Sequence, residues 1–188
     1  MNDNVSLGSI LHCSFPEVDS LDPVSYVSEV GDAVQALVYS RLFWPKLVEF
    51  NGAVFVALWG DDEAYIFQRL HNSSVGRDWA PMSWTSVVNS FNVFEVQYIF
   101  RQARGACELI DQANLELGSI LIETWRARLA TEYPERNFRV ELVAADETMG
   151  SRIEVAQEYP PLASPEGWSD EQRAIIVDEP DRWLDGSS

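Results

Sequence analysis

Lysine is almost missing from this chain, and cysteine and histidine are scarce. Lys46 is the single lysine in 188 residues, beside two cysteines and two histidines. Two histidines leave few groups that titrate near neutral pH for general acid–base work. Cys13 and Cys107 match no paired-cysteine spacing for a zinc or redox site, and read as two reduced thiols of a cytoplasmic protein. Nowhere do about 18 apolar residues run together, so no segment is expected to cross a bilayer as a helix. No basic leader precedes the short apolar stretch at residues 10–15, so export is not expected and the glycosylation match at Asn72 is idle. A glycine-rich phosphate loop, a nucleophile elbow and the HExxH and CxxC patterns are also lacking, which disfavours most enzyme classes with local signatures.

Acid is what the chain has in excess. Thirty Asp and Glu stand against thirteen Lys and Arg, a formal charge of -17. Such a field repels phosphate backbones and anionic lipid heads, so neither nucleic acid nor membrane is an expected partner. It keeps the protein soluble, and it would also steer a basic protein toward it. Apolar residues make up 46% and aromatic residues 12%, enough to offset the entropy of ordering the chain. The length suits one α+β domain at residues 1–159. Residues 160–188 read as an acidic, proline-containing extension; from Tyr159 onward seven acids face two arginines.

Periodicity sets the expected elements. Residues 5–15 alternate loosely and predict a first strand or extended arm. Asp22 and Pro23 suit a helix start, and Val27, Val30, Val34, Leu37, Val38 and Leu42 recur at three and four, predicting one helix closed before Pro45. Residues 46–50 and 53–59 flank Asn51 and Gly52, the pair that best supplies the positive φ angles of a tight hairpin. The second of these strands is apolar on both faces, so it should have layers on either side. A short helix follows to about residue 70, then a polar loop at residues 71–81. Trp84, Val87, Val88, Phe91, Phe94 and Tyr98 suit a helix, although Phe94, Val96, Tyr98 and Phe100 also alternate as a strand would; residues 92–101 stay ambiguous. A long helix is expected over residues 106–131, stopped by Pro134, and a second hairpin over residues 137–158. The expected fold is therefore an antiparallel sheet of two hairpins packed against several helices.

Three groups of residues could carry function. Asp61, Asp62 and Glu63 lie between a buried strand and a helix, where carboxylates can hold Mg²⁺, serve as acid and base, meet a basic partner, or only complement the helix dipole. Cys107, near a helix start, could be a nucleophile with His71 or His12 as its base, but no spacing links them and a small buried cysteine is the ordinary reading. His12 beside Cys13 makes no metal site, and no metal or cofactor is expected. Of the seven tryptophans, Trp44, Trp59, Trp84 and Trp125 fall on periodic or apolar runs and read as core. Trp79 in the loop, with Trp168 and Trp183 in the extension, could anchor an interface.

The sequence thus predicts a non-enzymatic acidic domain that engages a basic partner protein, as an immunity-type inhibitor of a toxin would. A small enzyme built on the carboxylate cluster or a Cys/His pair, and a homo-oligomeric structural protein, are the alternatives. No catalytic residue can be named.

Overall fold

A computed structural model gives the fold at residues 7–17, 23–59, 63–71, 83–100, 107–166 and 168, the residues described here. The first of these segments corrects the expected strand or arm: it holds helix α1 (Leu7–Ser14). Leu7, Ile10, Leu11 and Ser14 recur at helical spacing, and that period outweighs the loose alternation. The stripe expected as one helix is two, α2 (Pro23–Val30) and α3 (Ala33–Phe43). Gly31 and Asp32 divide them. A Cβ at Gly31 would collide with the Val27 carbonyl oxygen, to which the Gly31 N–H donates at 2.9 Å. The Asp32 carboxylate then caps α3, accepting from the N–H groups of Val34 at 2.7 Å and Gln35 at 3.4 Å.

Strands β1 (Lys46–Phe50) and β2 (Ala53–Ala57) form the expected hairpin, with Asn51 at φ 49° and Gly52 at φ 74°. Their register pairs Lys46 with Ala57 and Phe50 with Ala53. Beyond them come α4 (Glu63–His71) and α5 (Trp84–Phe91). The ambiguous stretch then divides into strand β3 (Val93–Glu95) and the short helix α6 (Val96–Ile99). Helix α7 (Cys107–Glu132) and the hairpin of β4 (Asn137–Val143) and β5 (Arg152–Tyr159) complete the described elements as expected. Instead of one sheet there are two, β1-β2 and β3-β5-β4, both antiparallel.

All five residues of β2 are buried, and alternation along the strand divides the interior in two. Val54 and Val56 join Phe94, Val96, Leu121, Trp125, Val140 and Ile153 in a core covered by α7. Ala53, Phe55 and Ala57 join Val48, Ile66, Trp84, Val87 and Val88 in a second core beneath α4 and α5. Trp125 is fully buried, stands edge-on to Phe94 at 5.3 Å, and donates its indole N–H to the Leu42 carbonyl at 2.7 Å. Gly118 permits the close approach of α7 to β4, since a Cβ there would lie 2.9 Å from a Leu142 methyl. The expected core positions Trp44 and Trp59 prove exposed: Trp44 caps the end of α3, and Trp59 lies two residues past the end of β2.

One buried side chain joins the sheets. Asn92, 1% exposed, ends α5 by donating its N–H to the Val88 and Asn89 carbonyls. Its side-chain amide pairs with the open edge of β2 as a strand would: Nδ2 donates to the Val54 carbonyl and Oδ1 accepts from the Val56 N–H, each at 2.9 Å. Its own carbonyl accepts from the Val155 N–H of β5 at 3.1 Å. Asn92→Ala would leave a buried carbonyl and a buried N–H without partners, a loss of roughly 2–4 kcal/mol. Asn89, whose side-chain oxygen has no partner, should tolerate alanine at a cost below about 1 kcal/mol. Urea unfolding of the two variants checks this; equal losses would remove the special role of Asn92.

Candidate interaction surface

Among the described residues, four arginines are held in ion pairs. Arg128 pairs with Glu132, and Arg136 with Glu49; Arg139 pairs with Glu141 and Glu158, and Arg152 with Asp146 and Glu154. Arg126 donates instead to the Val140 carbonyl, tying α7 to β4. Arg128 further donates to the Pro45 carbonyl at 3.3 Å and lies 5.5 Å from the Trp44 ring. These arginines fasten elements together and neutralise local acids. Glu123, Glu135 and Glu147 are exposed and, among the described residues, in no ion pair, so these negative charges face solvent.

Of the expected site residues, Glu63 opens α4 and is exposed. Asp61, Asp62, Trp79 and Trp183 lie outside the described residues, as does the polar loop from residue 72. Trp168 is half-buried and meets Trp84 edge-on at 5.0 Å, against the second core. Part of its ring is therefore occupied by the fold. His12 and Cys13 are exposed on α1, with Cys13 a free thiol; His71 ends α4 and Cys107 begins α7. Among the described residues, no three His, Cys, Asp or Glu side chains gather as metal ligands would. None of the described helices is long and apolar enough to cross a membrane.

The feature that the sequence reading missed is an apolar helix face turned outward. Val34, Leu37 and Val38 on α3 are 67%, 70% and 59% exposed, and Val27 on α2 is exposed as well. No residue of α3 is fully buried. Leu37, Ser40, Arg41 and Trp44 line a surface depression of about 470 Å³ beside this face. Contiguous exposed apolar surface of this kind commonly marks an interaction site. The signal available beforehand was the Gly31–Asp32 break, which separates the stripe into two short helices with no obligation to bury the same side.

Comparison of the chain with protein-family models, curated proteins and solved structures finds no match. The surface must therefore be read from its own chemistry.

Among the described residues, Asp146 is the carboxylate whose titration the structure shifts most. It accepts from the Thr148 hydroxyl at 2.6 Å and N–H at 2.8 Å, from Arg152 at 2.8 Å and from the Met149 N–H at 3.0 Å. Those bonds, the Thr148 pair foremost, hold its carboxyl well below the usual carboxylate range. A pKa lowered by folding stabilises above the unfolded value of about 4 and is lost as pH falls below it toward the folded one. The stability gap between the native chain and Asp146→Asn should thus be full at neutral pH and shrink in acid. Urea unfolding at about pH 7 and about pH 3 reads it, and a gap independent of pH would contradict the assignment.

Proposed function

We propose that this is a non-enzymatic, acidic binding protein of the cytoplasm that engages a basic partner protein, in the manner of an immunity-type inhibitor of a toxin. The observation that carries the reading is the distribution of charge. The chain bears -17, and the arginines of α7 and the β4-β5 hairpin are committed to carboxylates or backbone carbonyls. Unpaired carboxylates are left on the surface, where a field of one sign accelerates encounter with an oppositely charged protein. Asp61, Asp62 and Glu63 form the contact carboxylates of the proposal. Trp79 and Trp183 are its aromatic anchors, together with the part of Trp168 that the second core leaves uncovered.

The enzyme alternative rests on Asp61, Asp62 and Glu63 or on Cys107 with a histidine, and the depression on α3 includes none of them. The depression on α3 offers a serine and an arginine but no carboxylate, histidine or thiol. The Ser40 hydroxyl there donates to the Leu37 carbonyl at 2.7 Å.

The test is capture from the native lysate at low salt, elution by high salt, and rebinding of the purified partner in a stopped flow. Association should slow roughly tenfold or more between about 0.05 M and about 0.5 M salt, and replacing Asp61, Asp62 and Glu63 together by lysine should slow it at least as much at low salt. A partner whose association ignores both salt and charge reversal would sink the proposal.

A further inference from the structure

Helix α3 is held from one side. Tyr39 stacks at a tilt against Phe100, 6.0 Å between centroids, and Leu42 and Phe43 pack on the first core. The buried Trp125 grips the Leu42 carbonyl. The other side carries Val34, Leu37, Val38 and Arg41, which at spacings of three and four share one helical face, open to solvent. Nothing in the fold of α3 requires these residues to be apolar. Their exposure adds unfavourable contact with water that a partner would remove.

Charge decides which partner fits. Between residues 23 and 44 the chain has three charged side chains, Glu29, Asp32 and Arg41. The Asp32 carboxylate is already engaged in capping α3. A basic protein would select a docking face rich in acids, and this one is nearly without them. Two copies of a chain carrying -17 repel each other wherever carboxylates meet, so a charge-poor, apolar face is where they can approach. The pattern along α3 is also its own complement. Glu29 and Asp32 precede its first turn, while Arg41 is in its last turn and, among the described residues, in no ion pair. Eleven residues make a helix about 16 Å long. Two such helices laid antiparallel about a two-fold axis bring each Arg41 to the acidic end of the other, with the valines and leucine between.

We propose that the outward face of α2 and α3 is a homodimer interface formed by antiparallel pairing of α3 with α3 of a second copy. This contact is separate from the binding of a basic partner, and salt distinguishes them. Screening relieves the repulsion between two acidic copies and tightens the dimer, whereas it weakens attraction to a basic protein.

Sedimentation of the full chain over a concentration series tests the proposal. The mass should rise from 21.3 kDa toward twice that value, at lower concentration when salt is added. Leu37→Arg places an unpaired charge in the contact and should weaken the dimer by roughly thirtyfold or more. Because Leu37 is exposed, the unfolding of the monomer should not change. Arg41→Glu should weaken the dimer by up to about fivefold, and adding Glu29→Arg should restore it, a rescue that general damage to the helix would not give. A chain that remains monomeric at every concentration, or a dimer indifferent to Leu37→Arg, would overturn the interface; failure of the charge swap to restore association would overturn the antiparallel pairing.

Discussion

The arrangement depends on one buried amide. A two-stranded hairpin is marginal by itself, and β2 has a free edge inside the protein where unpaired backbone groups are costly. Asn92 resolves both problems at once. Its side chain offers a donor and an acceptor on one rigid plane, as a peptide unit does, and completes the hydrogen bonding of Val54 and Val56. Its backbone meanwhile closes α5 and touches β5. The first core needs β2 beside β3 and β5, because Val54, Val56, Phe94 and Ile153 all belong to it. Apolar packing supplies the attraction, but packing is non-directional. The asparagine fixes the register in which the two sheets meet.

This junction was hidden in the sequence for a physical reason. The helical period through Phe91 and the alternating period from Phe94 are both real, and they overlap in the same string of residues. The structure follows the helical period to Phe91 and the alternation only over Val93–Glu95, and returns to helix at Val96–Ile99. Asparagine suits the change at residue 92 because its side chain can replace backbone partners locally, which makes it a poor residue for the interior of a helix or strand. Where a single period ran unopposed, the reading was direct. The long stripe of α7 predicted the helix to within a residue at either end, and Asn51 with Gly52 predicted the hairpin turn. The apolar character of both faces of β2 predicted two layers, and two cores are present.

Exposure was the less legible property. A stripe at three and four says that a helix has an apolar side, not that the protein covers it. On α2 and α3, to either side of Gly31 and Asp32, Val27, Val34, Leu37 and Val38 of that stripe are exposed, whereas Leu42 packs on the first core. Trp44 and Trp59 fail as core residues for a related reason: each follows the end of a regular element, where period no longer dictates direction. Of the expected binding residues, Glu63 and Trp168 are the two the structure describes, and Trp168 already spends part of its surface on Trp84.

The two kinds of surface follow from how charge is distributed. Arginine rather than lysine fills the described structural positions, and its planar fork can bind two acceptors at once, as Arg152 does with Asp146 and Glu154. Each such arginine neutralises acids that the fold itself uses, which leaves the remaining carboxylates unopposed outside. Surface ion pairs of this kind contribute little stability individually, so their effect on the protein's field is the larger one. A surface so acidic resists self-association unless some part is kept free of charge. The segment around α3 is poor in charge and exposed, and its few charges are ordered acid first and base last. An acidic field and a neutral apolar helix on one molecule are therefore compatible: the first governs what approaches from a distance, and the second what can remain in contact.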